Sequence, residues 1–229
     1  MKNMANPDLI HSTVAQVAKS EAVVWDGSKY YDDAEAWTWL FWSEEHDFFK
    51  YFRQLDIKNL LELACGHGRH GEYVLSHYGD RVDRLVMLDI LQSNVDFCLQ
   101  RIGPRKNLEI RCNSGVGFQP VADGSLTAIF CYDAMVHFHH EVVKSYLNDT
   151  QRVLVPGGMA LFHHSNYSLK PDSPFGANPH ARAYMSASLF EQYVKEAGLV
   201  VMEQKSFSWG DIPDLDCLSL IKKPASTSK

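Results

Sequence analysis

Leu60-Leu61-Glu62-Leu63-Ala64-Cys65-Gly66-His67-Gly68-Arg69-His70-Gly71 carries an apolar, strand-like run straight into a glycine loop. A second apolar run, Leu85-Val86-Met87-Leu88, closes on Asp89. Glycines that open a tight turn let backbone N–H groups approach a ligand, and a carboxylate one strand over grips a ribose diol. The two runs together predict a site for a nucleoside-bearing cofactor. The rest of the chain has to decide which cofactor it is.

The frame around that stretch is ordinary. The chain has 229 residues, 45% of them hydrophobic and 12% aromatic, which is enough for a real core and excludes wholesale disorder. A net charge of −6 argues against nucleic acid as a partner, since nucleic acid demands a basic face. The local cluster Arg101, Arg105, Lys106 and Arg111 reads as a solvated helix end and loop. Five cysteines, odd in number and without a CxxC pair, follow a polar N-terminus lacking a signal-peptide core; both features point to a reducing cytoplasm. No apolar run reaches the roughly 18 residues of a membrane span. Met1 to about Pro7 and Pro224 to Lys229 read as frayed tails.

Short β-like runs alternate with helical patterns, the signature of a sheet wound with helices on both faces. Strands are expected at Asn59–Ala64, Arg84–Asp89, Leu108–Cys112, Leu126–Tyr132, Met159–His164, Leu199–Ser208 and Cys217–Lys222. Helices are expected at Gly71–Tyr78, Ser93–Ile102, Glu141–Leu154 and Ser186–Ala197, the last closed by Gly198. The turn-rich Gly210-Asp211-Ile212-Pro213-Asp214 suits a hairpin between the final two strands. The expected fold is therefore α/β and doubly wound, with a mostly parallel seven-stranded sheet and an antiparallel last strand. Ahead of it, Trp25 to Phe52 is dense in aromatics, and Asp33 to Gln54 reads as one long helix. Residues 1–55 are taken as a helical lid segment and residues 56–229 as the cofactor-binding domain. Aromatic lids suit a cationic ligand, because a ring face attracts positive charge by about 0.5–2 kcal/mol.

Gly66-x-Gly68-x-x-Gly71 satisfies the dinucleotide fingerprint, so an NAD-dependent oxidoreductase has to be weighed. Three features tilt away from it. Glu62 interrupts the strand four residues before the first glycine, where a dinucleotide fold keeps an apolar residue. The motif follows a long aromatic segment instead of opening the chain. Arg152-Val153-Leu154-Val155-Pro156-Gly157-Gly158 precedes a later apolar strand. With Glu62-Leu63-Ala64-Cys65-Gly66-His67-Gly68, Asp89 after the second strand, Asp123-Gly124-Ser125-Leu126-Thr127-Ala128-Ile129-Phe130-Cys131-Tyr132 and the "LxPGG" turn at Leu154–Gly158, the chain resembles the class I S-adenosylmethionine-dependent methyltransferases over roughly residues 59–222. It departs from their pattern at Ala64, where glycine is commoner, and at Thr127, where aspartate is frequent.

The resemblance implies S-adenosylmethionine as cofactor. It implies that Ala64, Gly66 and Gly68 let the methionine part lie close, with Glu62 organising the loop. Asp89 would accept from both ribose hydroxyls, Ile90 would flank the adenine, and Asn113, Ser114 and Gly115 would meet its polar edge. Tyr132 would lie near the cofactor's amino group. Methyl transfer needs alignment, exclusion of water and removal of a proton, and the place for those groups is the carboxyl end of strands four and five. Five of the eleven histidines fall there. His137 and His164 are the candidate bases, with Asp133 orienting and Asn166 positioning. Trp25, Tyr30, Tyr31 and Trp209 are expected to cover the substrate. A metal is not expected: there is no HExxH, and adjacent His163 and His164 point to opposite faces of a strand. Asp133-Ala134-Met135-Val136 carries no proline where nucleic-acid amino-methylating relatives have two. The expectation is methyl transfer to oxygen or nitrogen of a small molecule by a monomer or homodimer. Three readings stay open beside it: intramolecular cyclisation of the cofactor releasing methylthioadenosine, an NAD-dependent oxidoreductase, and a non-catalytic binding module.

Overall fold

The computed structural model describes residues 7–225. The tails foreseen at Met1 to about Pro7 and Pro224 to Lys229 lie mostly outside the described residues. Five parallel strands, β1 (Asn59–Leu63), β2 (Arg84–Asp89), β3 (Leu108–Cys112), β4 (Leu126–Cys131) and β5 (Leu154–Ser165), are followed by a hairpin, β6 (Val200–Trp209) and β7 (Ile212–Lys222). Their order across the sheet is β3-β2-β1-β4-β5-β7-β6, with β7 antiparallel to both neighbours. The helices are α1 (Pro7–Ala22), α2 (Tyr30–Glu35), α3 (Thr38–Phe41), α4 (Asp47–Phe52), α5 (Arg69–Tyr78), α6 (Gln92–Ile102), α7 (His140–Val153) and α8 (Ala187–Glu196). This is the expected doubly wound α/β fold.

The central strands are apolar on both faces because both faces are covered. Successive side chains alternate across the sheet. Leu61, Val86 and Ile129 therefore enter one core with α7 and α8, while Leu60, Leu85 and Phe130 enter another with Phe48, Phe49 and Phe52 of α4. The order also opens a crevice: β1 leads outward to β2 and β3 on one side, and to β4 and β5 on the other. Ligands bind at such a switch point, outside the carboxyl ends of the strands.

Strands β5 and β7 begin at Leu154 and Ile212, ahead of the expected Met159 and Cys217, and two helical elements also differ from the sequence reading. The single helix expected at Asp33–Gln54 is three short ones. Trp42 leaves helical geometry at φ −93° and ψ 11°. His46 turns extended, and its ring Nδ1 accepts the Phe48 N–H at 3.2 Å, capping α4. The bends let Trp42, Phe48, Phe49 and Phe52 bury on the sheet face while α2 lies over the strand ends. No glycine or proline between residues 33 and 54 marks them. Helix α1 was not foreseen, although Val14, Ala15, Ala18 and Ala22 have helical spacing; Ala18 is buried against the first core.

Candidate active site at the carboxyl ends of the strands

The loop after β1 is held in left-handed geometry at Ala64 (φ 56°), Gly66 (φ 53°) and Gly68 (φ 82°). For glycine this costs nothing, whereas Ala64 bears about 1 kcal/mol of strain. Gly71 is needed for space, since a Cβ there would sit 2.6 Å from the Met87 sulfur. Asp89, at the end of β2, ties the loop down: Oδ2 accepts the Gly66 N–H at 2.9 Å, and Oδ1 accepts the Leu91 N–H at 2.9 Å and Asn94 Nδ2 at 3.1 Å. A carboxylate has about four acceptor positions. Three are used here, leaving one on Oδ2 for a ligand hydroxyl. Burial nevertheless pushes the Asp89 carboxyl above its ordinary pKa. Beyond it, Asn113 donates to the Tyr146 hydroxyl at 2.9 Å, and Gly115 leaves room for Ile90, whose Cδ1 would lie 2.3 Å from a Cβ at that position.

One cavity runs along these strand ends. Ala64, Gly66, Asp89, Ile90, Asn113, Gly115 and Tyr132 line it, together with Asp133, His137, Trp25, Tyr30 and Tyr31. The consecutive tyrosines of α2 address its two halves. Tyr31 stacks on His67 with centroids 4.3 Å apart and accepts from Asn94 at 2.9 Å. Tyr30 donates its hydroxyl to Asp133 Oδ2 at 2.5 Å, and Trp25 packs on Tyr30 at 5.8 Å and on His137 at 4.5 Å.

The second half is fixed by a chain of hydrogen bonds. Asp133, itself left-handed at φ 57°, donates its backbone N–H to His163 Nδ1 at 3.1 Å. The His163 ring proton is therefore on Nε2, which donates to Asp216 Oδ2 at 2.9 Å. Asp216 accepts from Arg182 Nε at 2.8 Å and Nη2 at 2.6 Å. The residue before Arg182 carries the chain back to the cavity, because the Ala181 carbonyl accepts from His137 Nδ1 at 2.7 Å. That bond puts the His137 proton on Nδ1 and leaves Nε2 as the lone-pair nitrogen. Burial pulls the His137 pKa down to about 4, so the ring is neutral at physiological pH.

Six of the residues singled out in the sequence lie off the cavity lining. Gly68 is the N-cap of α5, and Ser114 accepts from the Val116 N–H. His164 is on the opposite face of β5 from His163, bonded to the Ser165 carbonyl and to Ser219, and stacked on Phe190 at 3.9 Å. Asn166 bonds the Asp214 carbonyl and the Ala187 N–H. Trp209 lies under the Arg182 guanidinium at 4.7 Å. Glu62 sits beneath the glycine loop, 3% exposed, with Oε2 unpartnered among the described residues.

Burial raises the Glu62 carboxyl from 4.5 to about 8. Such a group takes up a proton on folding between those two values, so stability falls as pH rises through that window. Glu62→Gln should remove up to about 1.4 kcal/mol of that loss between pH 6 and pH 7. Urea denaturation of both proteins at the two pH values measures it. Equal losses in both proteins would mean that Glu62 is ionised in the folded chain.

Sequence reasoning missed Arg69, which donates to Asp133 Oδ2 at 2.9 Å, and Glu21, which accepts the His139 N–H at 3.1 Å; both line the cavity. Arg69 lay in plain view as the residue opening α5, but its partner is 64 residues away in the chain. Among the described residues there is no cluster of His, Cys, Asp or Glu able to hold a metal ion, and no helix is long and apolar enough to cross a membrane.

Residues 60–158 match the family model described as a methyltransferase domain. No curated protein matches the chain. Among solved structures, the fold is similar to an S-adenosylmethionine-dependent methyltransferase from Mesorhizobium loti, at 11% identity and TM-score 0.61, over 77% of this chain and 97% of that one. It is similar to the [4+2]-cyclase SpnF at 13% identity and TM-score 0.63, over 84% and 82%. It is also similar to geranyl diphosphate C-methyltransferase from Streptomyces coelicolor, solved with S-adenosyl-L-homocysteine, at 14% identity and TM-score 0.56, over 72% of each chain.

Proposed function

We propose, for a chain that carries a class I S-adenosylmethionine-dependent methyltransferase domain, that it transfers the cofactor's methyl group to oxygen or nitrogen of a small molecule. The observation that carries this reading is one continuous cavity with Asp89 and Gly66 at one end and Asp133 and His137 at the other. S-adenosylmethionine is the cofactor, and it supplies a methyl group already activated by a positively charged sulfur.

The residues present fit that group. Asp89 keeps one acceptor position for a ribose hydroxyl. Ile90 gives an apolar wall for adenine, with Asn113 and Gly115 at its edge. The Gly66 amide region, close enough to Tyr31 that a Cβ there would lie 2.8 Å from the ring, takes the methionine part. Within the N-terminal segment, the stretch from Trp25 to Glu35 acts as a lid, Tyr31 over the cofactor half and Trp25 and Tyr30 over the substrate half. Asp133 orients the substrate and His137 Nε2 accepts a proton. Closure by these aromatics keeps water from the reacting atoms.

The fold also serves a [4+2]-cyclase, so products decide between reactions. The pure protein is incubated with S-adenosylmethionine, first alone and then with pooled small metabolites, and the nucleosides are identified by mass spectrometry. The expected result is stable cofactor alone and S-adenosylhomocysteine once an acceptor is added. Rapid methylthioadenosine without an acceptor would replace methyl transfer by cyclisation of the cofactor itself.

A further inference from the structure

Resting on that reading, we propose that the second substrate is a small amine whose nitrogen is held by Asp133 Oδ1 beside the rings of Trp25 and Tyr30. The Asp133 side chain is 2% exposed. Its Oδ2 is fully engaged by the Tyr30 hydroxyl and Arg69. Its Oδ1 has no hydrogen-bond partner among the described residues, although the residue lines the cavity. A buried carboxylate oxygen without a donor calls for one from the ligand.

The surrounding charges select the kind of donor. Arg69 is the only arginine or lysine among the described residues lining the cavity, and it is committed to Asp133 and to the Ala34 carbonyl. A phenolate or carboxylate would meet Asp133 with no free cation to offset it. An alcohol has to shed its proton as the new bond forms. The groups in reach are poor at taking it: burial holds His137 down to about 4 and His70 well below its ordinary value. An amine avoids both problems. Its lone pair makes the new N–C bond as the methyl–sulfur bond breaks and neutral S-adenosylhomocysteine is left. Positive charge passes to nitrogen beside a carboxylate and the Trp25 and Tyr30 rings, and the product departs as the ammonium ion and gives up its proton in solvent. Because a free lone pair is required, turnover should climb with pH toward the amine's own pKa.

The test is binding to the protein saturated with S-adenosylhomocysteine. Calorimetry compares matched pairs, phenethylamine against 2-phenylethanol and butylamine against butanol. Each amine should bind about tenfold tighter than its alcohol. In Asp133→Asn that gap should shrink to about threefold or less, with S-adenosylhomocysteine affinity held. Trp25→Leu, at a lid position outside both cores, should narrow the gap severalfold and serves if Asp133→Asn fails to fold. The proposal is overturned if the alcohols bind as well as the amines, or if no amine binds. It is also overturned if Asp133→Asn loses S-adenosylhomocysteine while the amine preference persists, because the carboxylate would then serve the cofactor. Failure of the wild-type protein to bind S-adenosylhomocysteine at all would sink the methyltransferase reading instead.

Discussion

Asp89→Ala should weaken S-adenosylhomocysteine binding by about 3 kcal/mol, roughly a hundredfold in Kd. Two losses add. The ligand hydroxyl loses a charge-assisted acceptor buried at the end of β2, worth more than a neutral hydrogen bond. The glycine loop loses the anchor of the Gly66 N–H and the Leu91 N–H, so the binding surface is no longer preorganised. Asp89→Asn, which keeps an acceptor oxygen but no charge, should fall between the two. Isothermal calorimetry on the three proteins reads the effect, and wild-type affinity in Asp89→Ala would remove the carboxylate from cofactor binding.

The second large effect is on stability. Asp216 is buried and carries the charge of Arg182 and the ring proton of His163. Burial pushes its carboxyl up, but the hydrogen bonds from His163 and Arg182 and the charge of Arg182 outweigh it and hold the pKa at about 2. A pKa depressed on folding contributes stability above the unfolded value of 3.8 and loses it as pH falls through about 2. Asp216→Ala leaves the Arg182 guanidinium, 3% exposed, without a counter-charge. Removing one partner of such a pair costs about 3–5 kcal/mol, equivalent to a Tm lower by roughly 10 °C at this size. Pairing it with Arg182→Leu should restore much of that loss, because no buried charge is then unpaired. Calorimetric melting of the three proteins decides it; a double variant no more stable than Asp216→Ala would show that the ion pair is not the origin of the effect.

That chain of bonds also explains what could be read in advance. That the glycine loop and Asp89 reach the cavity was legible because their placement follows from a local rule: apolar runs that end on glycine or on an acid. His163 and His164 were seen to face opposite sides of a strand. Which of them turns toward Asp133 depends on the register of β5 against β7, which sets His163 opposite Leu218 and His164 opposite Cys217. Asn166 and Trp209 fell to the same cause, being taken up by the β6–β7 hairpin and the start of α8. The aromatic segment misled in another way. Its apolar positions at 41, 48, 49 and 52 suit a continuous helix, but burying them on the sheet while covering the strand ends required the chain to bend at Trp42 and His46.

The sequence by itself determined the wound sheet, the cavity at the carboxyl ends of its strands, and Ala64, Gly66, Asp89, Ile90, Asn113 and Gly115 on its lining, though it also placed Glu62 and Ser114 there. Those features rest on short continuous apolar runs and on glycine's backbone freedom, both local properties of the chain. Only the tertiary structure decided that Arg69 and Tyr30 share one oxygen of Asp133 and leave the other without a donor. It alone tied Asp133 and His137 through His163, Asp216 and Arg182. Each of those contacts joins residues far apart in the chain, and a buried charge finds its partner through packing rather than through spacing.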